Sequence, residues 1–252
     1  MRIALLGASG RMGQAVLQAA AQHPGVAVTA ALVRAGSETL GWESHGLRYS
    51  GDLAAALAGA DVLLDFSMPA GTAAALEACL KAKKPLVTGV TALDADLQAR
   101  LTAAGRHIPV LASPNMSLGV ALLTRMAEQA ARVLGQDFDV EIQETHHKHK
   151  KDAPSGTALA LGHAVAAARG QPAPDGRSRS GLRQAGSIGF AVTRAGDIVG
   201  DHTVLFAGAG ERLELTHRAQ SRATFAQGAL DAARWIVGKP AGVYSLADLL
   251  PA

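Results

Sequence analysis

The sequence predicts an α/β protein, with an N-terminal doubly wound parallel sheet and an inserted α+β domain whose open sheet is mixed or antiparallel. In the first half of the chain short apolar runs alternate with helical stretches, which is typical of a parallel sheet covered on both faces. Residues 139–145 instead alternate strictly between apolar and polar side chains, which indicates a half-buried strand. The 252 residues are 48% hydrophobic but only 4% aromatic, which favours helices on a parallel sheet over an aromatic-rich sandwich.

Five strands are predicted in the first half of the chain. Each is a short apolar run, and Ala-rich helical stretches separate them. The first helix is predicted to end near Pro24-Gly25, the helix after the third strand is predicted to end near Leu80, and the next is predicted to begin near Ala95. The predicted strands are residues 3–6, 26–33, 61–66, 85–88 and 108–112.

The pattern changes near Ser113-Pro114-Asn115, where we predict a domain boundary. A long helix is predicted over residues 116–134, and a polar segment after the alternating strand leads into a helix over 157–168. The stretch 172–183 is rich in Pro, Gly, Ser and Arg and predicts a loop. The remaining predicted elements are strands at 188–193, 203–207 and 212–216 and a closing helix over 224–237.

Charge and cysteine content narrow the class of protein. The formal net charge is +3 without a long Lys/Arg tract, so a nucleic-acid partner is not indicated. The single cysteine, Cys79, cannot form an internal disulfide, which is consistent with a reducing cytoplasm. The first apolar run is too short for a signal peptide, and no uncharged apolar run reaches the roughly 18 residues of a transmembrane helix. We therefore expect a soluble, cytoplasmic protein without a membrane or nucleic-acid partner.

A glycine-rich turn directly follows the first predicted strand and opens the first helix. It reads Gly7-Ala8-Ser9-Gly10-Arg11-Met12-Gly13, a G-x-x-G-x-x-G spacing. Small residues here let a pyrophosphate reach backbone N–H groups at a helix N-terminus, and the last glycine lets the helix pack close to the sheet. In this strand–turn–helix context the turn predicts a Rossmann-like dinucleotide site, and the alternative is a tight turn that binds no ligand.

The ends of other predicted strands offer further candidates for nucleotide contacts. The second strand ends in Val33-Arg34 and lacks the acidic residue that often holds the ribose hydroxyls, so Arg34 could bind the 2′-phosphate of NADP or be a solvated arginine. Gly89 and Thr91 follow the fourth strand and could contact the nicotinamide ribose or carboxamide. Phe66 follows the third strand and could contact the cofactor or serve only in packing.

The most informative segment, residues 144–157, joins the alternating strand to the next helix. Its end, Ser155-Gly156-Thr157, has the character of a helix start, where hydroxyl groups cap the helix and backbone N–H groups bind an anion. The His and Lys residues just before it supply charge-assisted donors, so this loop could hold a carboxylate-bearing substrate. Hydride transfer to a C=N or conjugated C=C–C=N group leaves a basic atom that needs a proton, and a lysine or histidine can deliver it.

Three other interpretations of this segment are open. His146, His147 and His149 could bind a metal, although no Cys or nearby carboxylate pattern completes a zinc site. The segment could contact nucleic acid, although it is short and lacks interleaved aromatic residues. It could also be a solvated basic loop. We expect no metal site.

These segments resemble the 4-hydroxy-tetrahydrodipicolinate reductase family, also called dihydrodipicolinate reductases, over nearly the whole chain. The pattern Glu-x-His-His-x-His-Lys-x-Asp-Ala-Pro-Ser-Gly-Thr at residues 144–157 is highly specific to that family, whereas the glycine turn alone is not. The other matching segments are residues 7–13, 65–67, 88–91, 113–117, 194–200 and 211–219.

The resemblance implies an activity and an architecture. The expected reaction is the NAD(P)H-dependent reduction of 4-hydroxy-tetrahydrodipicolinate to tetrahydrodipicolinate, with loss of water, in lysine (diaminopimelate) biosynthesis. The expected dinucleotide-binding domain comprises residues 1–116 and 222–252. The expected substrate-binding domain, residues 117–221, would also form a homotetramer through its sheets.

The resemblance also assigns residues by motif position. His146 is the expected proton donor or acceptor and Lys150 the second catalytic group, and the motif does not decide which of them delivers the proton. The residues expected at the substrate are His147, Lys150, Ser155, Gly156 and Thr157. The residues expected at the cofactor are Gly7, Ser9, Gly10, Arg11, Met12, Gly13, Arg34, Phe66, Gly89, Thr91, Ser113, Asn115 and Met116.

One departure from the family bears on the cofactor. Many members have an acidic residue where Val33 stands, followed by arginine, so a ribose-binding carboxylate is lost here while Arg34 stays. We therefore expect NADPH to be preferred over NADH, although members often accept both.

Two other classes of protein fit the sequence less well. A related imine or amino-acid dehydrogenase, such as an aspartate dehydrogenase, does not need the complete loop of residues 144–157. A non-catalytic nucleotide sensor need not keep His146 and Lys150.

Overall fold

The computed structural model describes residues 1–175 and 181–251, and the chain divides into two compact units. Unit 1 comprises residues 1–118 and 222–252, and unit 2 comprises residues 119–221. The fold class predicted from the sequence is confirmed, because unit 1 contains a mostly parallel sheet with helices and unit 2 contains a separate mixed sheet with helices. Five residues of the predicted loop 172–183, residues 176–180, lie outside the described part of the chain.

The elements are numbered along the chain. The strands are β1 (Arg2–Leu6), β2 (Ala27–Leu32), β3 (Glu43–Ser44), β4 (Leu47–Ser50), β5 (Val62–Asp65), β6 (Leu86–Thr88), β7 (Pro109–Ala112), β8 (Asp139–His146), β9 (Ile188–Arg194), β10 (Gly200–Ala207), β11 (Arg212–Ala219) and β12 (Gly242–Tyr244). The helices are α1 (Arg11–Ala21), α2 (Leu53–Ala58), α3 (Pro69–Ala82), α4 (Ala95–Ala104), α5 (Leu118–Leu134), α6 (Gly156–Ala168) and α7 (Ala223–Ile236), with a short 3-10 helix at Leu246–Leu249.

The sheet of unit 1 has the strand order β12-β7-β6-β5-β1-β2-β4-β3, and all its neighbours are parallel except β3 and β4. The central strands are apolar and fully buried, as strands covered on both faces by helices must be. The order reverses beside β1, since β2 and β4 lie on one side of it and β5, the next strand along the chain, lies on the other. Ligands of open α/β sheets bind at the carboxyl ends of the strands around such a reversal.

The last helix, α7, belongs to unit 1 although it follows unit 2 in the chain. Gly228 lets it approach the backbone closely, because a Cβ at this position would lie 1.9 Å from the carbonyl oxygen of Met116. The buried face of α7 is made largely of alanine, including Ala226, Ala229 and Ala233, which keeps the helix close to its neighbours. This close contact packs α7 against the segment that follows β7.

The sheet of unit 2 has the order β11-β10-β8-β9. β10 is antiparallel to both of its neighbours, whereas β9 is parallel to β8, so the sheet is mixed. Apolar side chains from β8 and β10 alternate with polar ones and pack against α5 and α6. The core of this unit contains Leu123, Ala127, Ala131, Val140, Ile142, Ala158, Leu161, Val165, Val204 and Phe206.

Several elements were not predicted, and all of them are short. They are β3, β4, α2, β12 and the 3-10 helix. Within the predicted elements, β10 begins at Gly200 rather than at residue 203, because Gly200, Asp201 and His202 continue the pairing with β11.

The predicted domain limits lie near those of the two units. The first is predicted between residues 116 and 117 and lies between 118 and 119, and the second lies between 221 and 222 in both cases. Among the described residues, every helix is too short or too polar to cross a membrane.

Candidate active-site residues in the two units

The glycine turn of unit 1 is wound tightly between the ends of neighbouring strands. The N–H groups of Gly7 and Ala8 both donate to the carbonyl oxygen of Leu32, at 2.9 and 3.0 Å, at the end of β2. Gly7 has φ +83°, and a Cβ there would lie 2.5 Å from the carbonyl oxygen of Phe66. A Cβ on Gly13 would lie 2.2 Å from the carbonyl oxygen of Gly7. Both positions therefore need glycine, for backbone conformation at one and for close approach at both.

The N-terminus of α1 is open toward solvent. Its N-cap is Gly10, no side chain caps it, and its first turn contains no acidic residue. Ser9, Gly10 and Arg11 are exposed, while Met12 is half-buried. The first N–H groups of a helix have no partner within the helix and carry its positive dipole end, so they bind anions such as a pyrophosphate.

A buried carboxylate fixes the carboxyl ends of β5 and β6. Asp65 is fully buried and accepts hydrogen bonds from the hydroxyl groups of Thr72 at 2.7 Å and Thr88 at 3.0 Å. Its other oxygen accepts from the backbone N–H of Ser67 at 2.9 Å and from the Ser67 hydroxyl at 2.5 Å. Sequence reasoning assigned Asp65 no role. An acidic residue that ends an apolar strand is the signal that could have identified it, because a buried carboxylate requires donors.

Phe66 and Gly89 lie at the ends of these same two strands. The N–H of Gly89 donates to the carbonyl oxygen of Asp65 at 2.9 Å, and a Cβ at Gly89 would lie 2.3 Å from the Phe66 ring. The Phe66 ring is thus packed against a backbone position where only glycine fits. Phe66 and Gly89 are half-buried, and Thr91 is exposed.

The remaining predicted cofactor residues follow β7 and β2. The N–H of Ser113 donates to the carbonyl oxygen of Thr88 at 3.0 Å, and its hydroxyl donates to the carbonyl oxygen of Asn115 at 2.7 Å. Met116, the next residue, is buried. Arg34 is exposed just beyond the end of β2. The structure therefore brings the predicted cofactor residues to the carboxyl edge of a single sheet.

In unit 2, the side chains of Glu144 and His146 lie on the same face of β8. Both are buried, and Oε2 of Glu144 lies 3.4 Å from Nδ1 of His146. His202 of β10 approaches the same carboxylate oxygen with Nε2 at 3.7 Å. On the other oxygen, Oε1, Glu144 accepts a hydrogen bond from Nη2 of Arg194 in β9 at 2.9 Å. Three strands therefore supply one buried cluster, of which sequence reasoning singled out only His146.

The loop after β8 holds the other predicted residues. Lys150 Nζ is paired with Oδ2 of Asp152 at 2.9 Å, and the lysine side chain is 22% exposed. His147 is half-buried, and its ring centroid lies 6.3 Å from that of His149. The backbone of the loop is anchored at one side, because the N–H of Lys148 donates to the carbonyl oxygen of Gly196 at 3.1 Å.

The loop ends at the start of α6, as the sequence predicts. The buried Ser155 is the N-cap, and its hydroxyl accepts a hydrogen bond from the N–H of Ala158 at 3.2 Å. The backbone N–H of Ser155 donates to Oε1 of Glu144 at 3.0 Å, which connects the helix start to the buried cluster. Gly156 is exposed and Thr157 half-buried.

Burial and charge determine the protonation of the cluster. Burial lowers the pKa of His146 to about 4; the carboxylate of Glu144 opposes this shift, and the neighbouring His202, Lys150 and Arg194 add to it. The pKa of Glu144 is lowered to about 2, since the donors His202, Ser155 and Arg194 outweigh the effect of burial, which acts in the opposite direction. Near neutral pH the cluster therefore contains a carboxylate and an uncharged His146 ring.

Glu144, His146 and His202 are also the group that could hold a metal ion, because their ligand atoms lie within 4.8 Å of one another. One carboxylate and two imidazoles are ligands that zinc accepts. Arg194, however, already neutralises the carboxylate at 2.9 Å, and Lys150 adds positive charge around His146. We therefore interpret the cluster as a network of hydrogen-bonding groups, and the expectation of no metal stays a prediction.

A nucleotide-type glycine turn on a parallel sheet in one unit, and a buried histidine near the start of a helix in the other, are features of an NAD(P)-dependent oxidoreductase. Family models agree: residues 1–116 match the N-terminal part of dihydrodipicolinate reductase and residues 119–250 match its C-terminal part. The chain belongs to the dihydrodipicolinate reductase family. Membership of the family, with its N-terminal nucleotide-binding domain, implies the use of NAD(P)H.

Individual relatives match over almost their whole length. A 4-hydroxy-tetrahydrodipicolinate reductase of Thiobacillus denitrificans is 51% identical, over 99% of this chain and 98% of the relative. One of Alkalilimnicola ehrlichii is 49% identical with the same coverage. Among solved structures, the dipicolinate-bound dihydrodipicolinate reductase from Paenisporosarcina sp. TG-14 has a TM-score of 0.79 at 23% identity and covers 99% of both chains. At that identity the likeness shows the fold.

We expect the His146 ring to titrate near pH 4 in the folded protein, below the 6.5 of an ordinary histidine, because burial disfavours the imidazolium. Unfolding then takes up a proton between these two pH values, so the free energy of unfolding falls as the pH drops through this window, and the contribution of His146 is present in full above pH 6.5. The measurement is the chemical shift of the ring Cε1–H against pH, with the resonance assigned from a His146→Gln variant. A midpoint at or above 6.5 would contradict the burial argument.

Proposed function

We propose that the protein catalyses the NAD(P)H-dependent reduction of 4-hydroxy-tetrahydrodipicolinate to tetrahydrodipicolinate in lysine (diaminopimelate) biosynthesis. One substrate, one NAD(P)H and one proton give the product, NAD(P)+ and one water. The observation that carries the proposal is the segment 144–157, in which His146, Lys150 and the start of α6 follow one another in the order characteristic of the family. The substrate name is that of the relatives from Thiobacillus denitrificans and Alkalilimnicola ehrlichii.

The start of α6 and the preceding loop suit a substrate with two carboxylates. The backbone N–H groups of Gly156 and Thr157 belong to the first turn of a 13-residue helix, whose positive dipole end favours an anion. Lys150 and His147 precede this turn and add side-chain donors, which strengthen hydrogen bonds to a carboxylate. We propose that these residues, with Ser155, bind the substrate carboxylates.

The residues of unit 1 fit a dinucleotide. The backbone at Gly7 and Gly13 has no room for a side chain, and α1 begins without a side-chain cap, so a pyrophosphate can approach Ser9 and Gly10. Bound NAD(P)H supplies the hydride of the reaction. Arg34, exposed beside the buried Val33, would contact the 2′-phosphate, since Arg binds phosphate with two parallel hydrogen bonds.

The reduction also needs a proton, and unit 2 offers two sources. Lys150 carries an ammonium group paired with Asp152. His146, with a pKa of about 4, is uncharged at neutral pH and, once it takes up a proton, is a stronger acid than an ordinary histidine. We propose that these two residues move the proton, and single substitutions can separate their roles.

We expect the purified protein to oxidise NADPH only when freshly generated 4-hydroxy-tetrahydrodipicolinate is present. His146→Ala and Lys150→Ala should each lower kcat by about 10²–10⁴-fold, the usual size of a general acid–base contribution. The absorbance of the reduced cofactor follows the reaction. The matched control is His163→Ala, which alters an exposed residue of the same unit and should retain wild-type turnover. If both active-site variants kept full activity, the catalytic assignment would be wrong.

The preference between the two cofactors tests Arg34. We expect Arg34→Ala to raise KM for NADPH by about 10–100-fold, which corresponds to the loss of a charged hydrogen bond, and to leave KM for NADH nearly unchanged. Steady-state kinetics with both cofactors gives the ratio, and Arg106→Ala, an exposed arginine elsewhere in unit 1, is the control. An equal effect on both cofactors would show that Arg34 does not contact the 2′-phosphate.

We further propose that the chain forms a homotetramer through the sheets of unit 2. Its helices α5 and α6 pack on one face of the sheet. The other face presents small and polar side chains such as Gln143, Ala191 and Thr203, with the hydroxyl groups of Thr203 and Thr216 2.9 Å apart. Light scattering on the purified protein should give the mass of four chains, and a monomeric mass would contradict this arrangement.

A further inference from the structure

Glu144 holds a central place in unit 2 that the sequence did not reveal. It lies on β8, directly opposite His202 of β10 on one side and Val192 of β9 on the other, and two residues before His146 on the same face. Its side chain is completely buried. A carboxylate in such a place is retained only if the protein supplies partners for both of its oxygens.

The two carboxylate oxygens of Glu144 serve different parts of the unit. Oε1 accepts hydrogen bonds from the backbone N–H of Ser155 at 3.0 Å and from Arg194 at 2.9 Å. Oε2 lies 3.4 Å from Nδ1 of His146 and 3.7 Å from Nε2 of His202, which are electrostatic contacts without hydrogen-bond geometry. His202 also contacts the start of α6, because the same Nε2 lies 3.3 Å from the hydroxyl of Ser155.

We propose that Glu144 is a positioning residue that orients the His146 ring with one oxygen and fixes the start of α6 with the other. The proton-transfer group and the anion-binding N–H groups would then be held by the same carboxylate. This role rests on the proposed function, in which His146 transfers a proton and α6 binds a substrate carboxylate.

The charge of Glu144 follows from its surroundings. Arg194 neutralises the carboxylate through a direct ion pair, which offsets the cost of burying the charge. The other groups that face His146 are Lys150 from the loop and His202 from β10, and both disfavour a positive charge on its ring. His217 on β11, the cross-strand partner of His202, is a further imidazole at this end of the sheet. Glu144 is thus the anion beside a ring otherwise surrounded by cations and imidazoles.

An ionised carboxylate can only accept hydrogen bonds, and this fixes the tautomer of the neighbouring ring. With Oε2 of Glu144 next to Nδ1, the proton of the neutral His146 ring belongs on Nδ1, and Nε2 is left with its lone pair. Gly200 leaves Nε2 without a side chain in contact at this position, because a Cβ there would lie 3.0 Å from the nitrogen. The ring nitrogen of His146 that takes up and releases the transferred proton is therefore Nε2.

The test is Glu144→Gln, which keeps the shape and removes the charge. The amide oxygen can still accept from Ser155 and Arg194, and the amide NH2 then faces Nδ1 of His146. The ring should change from the Nδ1–H to the Nε2–H tautomer, which the two ring ¹⁵N chemical shifts report directly, with assignment from His146→Gln. Because the wrong tautomer cannot perform the same proton transfer, kcat should fall by about 10²–10⁴-fold, as when a histidine loses its orienting carboxylate in a catalytic triad, with a smaller change in KM.

Glu128→Gln is the matched control, since Glu128 makes an exposed i,i+4 pair with Arg132 on α5 and should change neither readout. If Glu144→Gln leaves the tautomer and kcat unchanged, Glu144 is not a positioning residue. If the wild-type protein does not reduce the proposed substrate but its ring still changes tautomer in the variant, the proposed function fails and the positioning of His146 stands. Should the single variant not fold because Arg194 is left unpaired, Glu144→Gln combined with Arg194→Gln removes both charges, and the same change of tautomer is expected.

Discussion

A carboxylate buried inside a sheet has to find all of its hydrogen-bond donors within the protein, and each unit of this protein is arranged around one such group. Asp65 in unit 1 draws together donors from the loop after β5, from α3 and from β6. Glu144 in unit 2 accepts hydrogen bonds from Arg194 of β9 and from the start of α6. Its other oxygen lies 3.4 Å from His146 of β8 and 3.7 Å from His202 of β10. Removing any one donor leaves charge without compensation in a region of low dielectric, so these groups constrain their surroundings far more than an apolar residue would.

The two carboxylates also explain why the candidate residues lie where they do. In unit 1 the ends of β5 and β6 are held together, and Phe66 and Gly89 are the residues that immediately follow. In unit 2 His146 is two residues from Glu144 on the same strand, and the start of α6 is bonded to the same carboxylate. The candidate site residues in each unit are therefore next to a charge that limits their movement.

The sequence predicted most of this fold because the signals are local. Periodicity located α1 and α3 and the apolar strands of unit 1, and the glycine turn followed from its spacing after β1. The missed elements are short: α2 has only six residues, and a six-residue alanine-rich stretch differs little from a loop in its pattern, although Asp52 does cap it. The parallel pairing of β9 with β8 depends on contacts between distant parts of the chain, which local patterns do not contain.

In the candidate sites, too, residues that are close in sequence could be predicted, whereas residues contributed by distant strands could not. His146 and Lys150 could be identified because they are close in sequence, and the strict alternation of β8 places Glu144 on the same face as His146. Arg194 and His202 could not be assigned, because they reach Glu144 from other strands after separations of 50 residues or more along the chain. The missing acid at Val33 was visible in the sequence, whereas the exposure of Arg34 beside it became visible only in the fold.

The open start of α1 has a consequence for the way such a protein can be improved. Helices α2, α4 and α6 begin with a side chain that caps them, whereas α1 begins at Gly10 without one, and α3 and α7 also begin without one. A glycine N-cap costs a helix only about a few tenths of a kcal/mol relative to Ser, Thr or Asp, so a single substitution at position 10 would bring a small gain in stability. Laboratory evolution toward heat resistance would therefore have a gain available at position 10, at the risk of closing the helix end to an anion.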